Sequence, residues 1–471
     1  MRFADGFVWG AATASYQVEG AFDEGGRGLS VWDTFCKRPG AVKGGFTGDV
    51  ACDHYHRVKQ DVALMREIGL QAYRFSFSWS RLLPEGVGKV SATGVAFYDQ
   101  LIDELLDNGI EPYATIFHWD YPYELFLKGG WLNQDSVGWF GDYTALLADK
   151  FSDRVGNWFT LNEPQCFLGL GHVDGKHAPG LKLDYPEFFI ATKHAMMAHG
   201  RSVQVLRAQC KRKPMISYAP ISQVGIPFDD SPECIEAARQ FSFGPQEKSR
   251  GFWFSRLYLD PVLKGIWPED AVAVLTDRGP KVSHLELAEM NQPLDALGLN
   301  FYAAPLIRPG EGGKPEELPY KAGAPRTGFD WGVTPEGLYW SARFHYERYG
   351  IPIYITENGL SSLDWVSEDG QVHDPQRIDY TSKYLKQVSR AHDDGIPMHG
   401  YFHWSLMDNF EWAEGYSHRF GLVHVDFETQ ERIIKDSGHW YRDVIASNGA
   451  SLESSSFKPR LITNAAAVKT V

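Results

Sequence analysis

Short apolar runs rich in β-branched and aromatic residues alternate along the chain with longer stretches of helical period, the pattern of parallel strands covered by helices. Eight runs read as strands: FVWGAAT (7–13), AYRFSFSW (72–79), EPYATIFHW (111–119), NWFTLNE (157–163), PMISYAP (214–220), ALGLNFY (296–302), PIYITEN (352–358) and MHGYFHW (398–404). Between them, VAFYDQLIDELLDNG (95–109) sets Phe97, Leu101, Ile102 and Leu105 on one helical face at three- and four-residue spacing. Four joints repeat one device, at Gly69-Leu70, Gly109-Ile110-Glu111-Pro112, Gly350-Ile351-Pro352 and Gly395-Ile396-Pro397. Glycine supplies a left-handed helix C-cap and proline forbids continuation, so each joint turns a helix into a strand within a few residues.

Eight βα units close into a (β/α)8 barrel, whereas a doubly wound sheet would carry a GxGxxG fingerprint after its first strand, and none is present. The 471 residues exceed an ordinary single domain, but barrels with insertions run past ~400 residues. No linker divides the chain. The expectation is one α/β barrel over residues 1–447 and a C-terminal tail, 448–471, laid outside it. The segments 20–48, 164–186, 221–265 and 303–335 are rich in Gly, Pro and aromatics, and are expected to build the barrel mouth.

The 60 acidic against 46 basic residues give a formal charge of -14, which repels phosphate backbones and anionic membranes and argues against nucleic acid or lipid as partners. The five cysteines are odd in number and lack a CxxC, so no disulfide framework, zinc site or other metal site is indicated. The N-terminal MRFADGFVWG has no apolar signal core, and no 18-residue apolar run follows. A cytoplasmic protein is expected; the sequence leaves open a homo-oligomer.

Glu163 and Glu357 each stand where an apolar run stops, in NWFTLNEP and PIYITENG. Cleaving an acetal needs a proton for the leaving oxygen and an anion facing the developing oxocarbenium ion, and two carboxyl groups in different protonation states supply both. Asn162 before one acid and Asn358-Gly359 after the other suit exposure at a rim.

At these residues the chain resembles family 1 of the glycoside hydrolases, the β-glucosidases and their relatives, from Phe7 to about Tyr441. The strings are FVWGAATASYQVEG (7–20), RFSFSWSRLLP (74–84), FHWDYP (117–122), TLNEP (160–164), LGLNFY (297–302), ITENG (355–359) and YFHWSLMDNFEWAEGYSHRFGLVHVD (401–426). The resemblance implies a retaining exo-β-glycosidase without a cofactor, acting on small-molecule β-glycosides such as cellobiose-type disaccharides and aryl β-glucosides. It implies Glu163 as acid/base and Glu357 as nucleophile, with Arg74 and Tyr302 beside Glu357. Gln17, His118, Trp119, Asn162, Asn300, Glu411, Trp412 and Phe420 match sugar-binding positions, with Trp404 as a stacking floor. On the leaving-group side Cys166, Leu170, His177, Phe243 and Trp331 are candidates.

Glu411 narrows the sugar. Relatives that take 6-phosphosugars carry a small hydroxyl residue and Lys in the matching loop, and a carboxylate there points to unphosphorylated O4 and O6. Glu rather than Gln in TLNEP argues against thioglucosides. Glucose, galactose and fucose all remain compatible. His54 and His56 in DHYH resemble a metal-binding pair, but they open a helical stretch, where residues two apart face different ways. A degenerate, non-catalytic barrel would have lost a carboxylate. An inverting enzyme would hold its two acids farther apart.

Overall fold

The computed structural model describes residues 3–245 and 248–454. Each of the eight apolar runs carries a strand: β1 (Val8–Ala12), β2 (Ala72–Ser76), β3 (Glu111–Phe117), β4 (Asn157–Asn162), β5 (Met215–Ala219), β6 (Leu297–Asn300), β7 (Ile353–Asn358) and β8 (Met398–Trp404). Neighbours pair in parallel in the order β5-β4-β3-β2-β1-β8-β7-β6. The ring comes round where Ile221 bridges Asn300 in parallel and the Asn300 N–H donates to the Pro220 carbonyl at 3.1 Å. Because both faces of such a strand are covered, its residues are almost all buried, which is why the runs read as continuous rather than alternating. Gly10 is required by this closeness: a Cβ there would meet the Phe402 ring at 2.6 Å and the Ala72 carbonyl oxygen at 2.8 Å.

Helices wrap the barrel. The one expected over 95–109 is Ala92–Asp107, capped by the Ser91 hydroxyl, and it buries Phe97, Leu101, Ile102 and Leu105. The glycine joints behave as expected, with φ of 76° at Gly69, 72° at Gly109, 65° at Gly350 and 84° at Gly395. The segment 221–265, expected as mouth loop throughout, differs: it folds into helices over Pro232–Phe243 and Ser255–Lys264. Pro232 in the first turn and the Ser231 cap start the first of these.

Residues 448–454, expected in the tail, are tied to the barrel. The Asn448 side chain accepts from Trp9 Nε1 at 2.9 Å and donates to the Phe3 carbonyl at 3.1 Å, and Leu452 is buried. The rest of the tail lies outside the described residues. Among the described residues no helix is long and apolar enough to cross a membrane. All five cysteines are free thiols.

Candidate active site

At the C-terminal ends of the strands, where barrels carry their chemistry, a cavity of about 1260 Å³ opens. Glu163 and Glu357 line it together with His118, Trp119 and Tyr302. Trp404 lines it from the end of β8, Glu411, Trp412 and Phe420 from the segment after it, and Cys166, Leu170, His177 and Trp331 from other mouth segments. Gln17, Arg74, Asn162 and Asn300 lie behind this lining, and among the leaving-group candidates Phe243 is the exception. It ends the helix Pro232–Phe243, and its ring packs 5.4 Å from His345 and 6.2 Å from Tyr349, in the outer layer. The apolar pattern there belongs to a helix face, so the aromatic turns to a neighbouring helix and not to the mouth.

A β-bulge between Ile355 and Glu357 shifts the β7 register so that Glu357 pairs with Asn300 on β6, a device that re-aims side chains. Arg74, buried on β2, donates from Nη1 to Glu357 Oε1 at 2.8 Å and to the Thr356 carbonyl at 3.1 Å. Its Nε donates to Thr115 Oγ1 at 3.1 Å and its Nη2 to Asn162 Oδ1 at 2.5 Å. Tyr302 OH donates to the other Glu357 oxygen at 2.9 Å. Burial pushes the Glu357 carboxyl upward, and Arg74 foremost, then Tyr302 and Asn300, pull it back toward the anion.

Glu163 follows β4 with a left-handed backbone, φ 44°. Trp119 (φ 80°) and Trp412 (φ 46°) on the same cavity share that conformation, which costs a non-glycine residue about 1–3 kcal/mol and clusters at functional sites. Asn300 Nδ2 donates to Glu163 Oε1 at 2.8 Å, and the Cys166 thiol is hydrogen-bonded to the same carboxyl. Asn300 is also the ladder partner of Glu357 on the neighbouring strand, so it stands between the two acids. Burial, and next the charge of Glu357, push Glu163 up to about 8. Of the two buried acids, the one with the guanidinium ionises first, and Glu163 keeps its proton at neutral pH.

Hydrogen-bond bookkeeping fixes two further groups. Asn162 Oδ1 already accepts from Arg74 and Asn300, so its Nδ2 is the donor toward His118 Nε2 at 3.0 Å. His118 is neutral, because burial and Arg74 drive its pKa well down, and its proton therefore sits on Nδ1, which has no partner. Gln17 Nε2 donates to Asn409 Oδ1 at 2.9 Å and to the Phe410 carbonyl at 2.8 Å, which leaves buried Oε1 an acceptor without a donor. Buried polar atoms normally have partners, so a free donor and a free acceptor suit a ligand rich in hydroxyls. The Trp404 ring lies 5.8 Å from that of His118.

Glu411 has one weak side-chain partner, Gln17 Nε2 at 3.4 Å. Burial first, then Glu357 and Glu163, raise it to about 8. Raised that far, it can donate as well as accept a hydrogen bond near pH 7. Its loop is pinned by buried Asp408, which receives Lys435 Nζ and Arg419 Nη1, both at 2.7 Å. The bonding roles of Thr115, Thr356 and Asn409 were not anticipated. Thr356 and Asn409 lie inside the matched strings near Glu357 and Glu411, whereas Thr115 lies only in the third apolar run.

His54 and His56, considered as a metal pair, have other partners: His54 Nδ1 lies 2.8 Å from Asp61, and His56 bonds Asp53 and Glu24. Among the described residues no cluster of His, Cys, Asp and Glu is arranged to hold a metal.

The family model described as glycosyl hydrolase family 1 matches residues 1–450. The chain is 43% identical over 460 residues to the β-glucosidase A of Thermotoga maritima, covering 95% of this chain and 98% of that protein. It is 39% identical over 477 residues to a bifunctional β-D-glucosidase/β-D-fucosidase of Bifidobacterium breve, covering 96% and 99%. Among solved structures, the T. maritima β-glucosidase in complex with glucoimidazole superposes with a TM-score of 0.87 at 44% identity, over 95% of this chain and 99% of that one. Strand order, paired acids and matches along nearly the whole length agree, and the chain belongs to glycosyl hydrolase family 1.

Proposed function

We propose that this chain, a retaining β-glucosidase, uses Glu357 as nucleophile and Glu163 as acid/base to release terminal non-reducing β-D-glucose. The observation that carries the assignment is the unequal support of the two acids: Arg74 and Tyr302 bond both oxygens of Glu357, at 2.8 and 2.9 Å, while Glu163 has only neutral partners. The glucosyl unit lies over Trp404, with hydroxyls on Gln17 Oε1, His118 Nδ1 and Glu411. Glu357 attacks the anomeric carbon while Glu163 passes its proton to the glycosidic oxygen, and the C1–O bond breaks through an oxocarbenium-like state. The new glucosyl ester has consumed the Glu357 charge, so the Glu163 carboxyl becomes more acidic and remains ionised. It then takes a proton from a water that attacks C1, and Glu357 leaves as carboxylate. Two inversions give net retention. The family resemblance carries over to galactosides and fucosides, since a neutral Glu411 meets either C4 epimer and tolerates a missing O6.

A proton NMR time course on an aryl β-glucoside tests the stereochemistry. β-Glucose must appear first and mutarotate later; α-glucose as the first product would refute the double displacement.

A further inference from the structure

We propose that the leaving-group side of this cavity takes aglycones that carry a carboxylate, an inference that rests on the glucosidase reading above and adds to it the class of group released. One wall of the cavity is made by the segments 35–41 and 174–182, and Arg38, Lys176 and Lys182 stand on it. Lys176 is paired with Asp174 at 2.9 Å. Arg38 and Lys182 form no ion pair among the described residues. Both are exposed and need no counter-ion, but in a chain where 60 acids outnumber 46 bases they give this side of the cavity a positive charge suited to an anionic ligand.

Arg38 is also held in place. Its Nη1 donates to the Pro179 carbonyl at 2.8 Å, and the guanidinium lies 5.7 Å from the Phe35 ring centroid. A guanidinium has five N–H donors in a planar fork, so one bond to Pro179 leaves donors free for a carboxylate, whose geometry the fork matches. The absent side chain of Gly180 makes room, since a Cβ there would lie 2.8 Å from Arg38 Nη1. The stem of Lys182 runs along Gly175, where an added Cβ would fall 3.2 and 3.3 Å from its Cγ and Cε. Arg38 is thus held against the short segment that carries His177, and the exposed Lys182 lies along that segment. The same cavity presents Trp331, stacked 4.7 Å from Phe329, and its 1260 Å³ exceeds the ~300–1,000 Å³ of ordinary small-molecule sites. A planar ring bearing a carboxylate fits that combination of aromatic surface and two cations.

The test compares wild type with the double variant R38Q/K182Q on 4-carboxyphenyl β-glucoside and on its methyl ester. The expected result is a threefold to tenfold loss of kcat/KM for the acid, carried by KM, with the ester unchanged within twofold. Raising the salt to 0.5 M should erode the wild-type preference, because charges at a mouth are screened. A second arm, a disaccharide of glucose on glucuronate against cellobiose, separates a sugar acid from an aromatic acid as the source of the carboxylate. A selective loss in either arm supports the inference. Equal effects on charged and neutral substrates, or none, overturn it. Failure of wild type to cleave the neutral ester would instead refute the glucosidase reading.

Discussion

Replacing Glu357 by Gln removes a charge and keeps the shape of the side chain, and Glu163 is the group placed to feel it. Asn300 bonds Glu163 and pairs with Glu357 along the ladder, and both acids line one cavity, where the Glu357 charge acts on Glu163. For carboxyl groups about 5.5 Å apart, as in a retaining site, a unit charge at an effective dielectric near 20 is worth about 3 kcal/mol, or about 2 pK units. Burial is the larger cause of the raised Glu163 value of about 8 and survives the substitution. The Glu163 carboxyl should therefore titrate about 2 units lower in Glu357→Gln, still above a solvent-exposed Glu. Carbon-13 NMR titration of enzyme labelled at the Glu side-chain carboxyl reads both proteins, with Glu163→Gln to assign the resonance. In wild type the same proton sets the alkaline limb of kcat/KM: activity should fall as pH rises through about 8 and Glu163 loses the proton it must donate. An identical Glu163 titration in wild type and Glu357→Gln would refute the electrostatic coupling, and a wild-type value near 4.5 would refute the burial as well.

Arg74→Met should leave Glu357 buried without its guanidinium, a loss of about 3–5 kcal/mol for a broken buried pair, so kcat/KM should drop by roughly 10²–10⁴; an acid-limb pKa unchanged from wild type would contradict this. Glu163 is protonated when folded up to about 8 but ionises near 4.5 when exposed, so its neutral form favours folding fully below pH 4.5 and that contribution is lost as pH rises to 8. Glu163→Gln, which cannot ionise, should gain over wild type across that window, by at most about 5 kcal/mol at pH 8. Differential scanning fluorimetry at both pH values checks it, and a Tm difference independent of pH would rule it out. Glu411→Ala should cut kcat/KM for an aryl β-glucoside by about 10²-fold but spare the β-fucoside more, because fucose lacks O6; a strict galactoside preference in wild type would defeat the glucosidase assignment.

Much of this molecule can be read from its sequence, for identifiable reasons. A strand buried on both faces is an unbroken apolar run, and Gly-X-Pro joints punctuate it, so all eight strands fall where the pattern puts them. Glu163 and Glu357 stand out because a carboxyl group closing such a run is costly unless it faces a site. Periodicity cannot tell a helix on the rim from a mouth loop, and Phe243 was misplaced for that reason. Nor can a string of letters disclose which way a carboxamide points: the forced orientation of Asn162, the Nδ1 proton of His118 and the open acceptor on Gln17 emerge only from bonds between residues far apart in sequence. Glu411 shows the same limit in its charge, since the burial that raises it comes from the folded cavity.

Azide rescue tests the division of labour between the two acids most directly. Glu357→Gly should abolish hydrolysis of an activated aryl β-glucoside, and azide should restore cleavage with α-glucosyl azide as product, the small anion entering where the nucleophile stood. Glu163→Ala with azide should give the β-azide through the intact Glu357 ester. Products of the same configuration from both variants would contradict the assignment of Glu357 as nucleophile and Glu163 as acid/base.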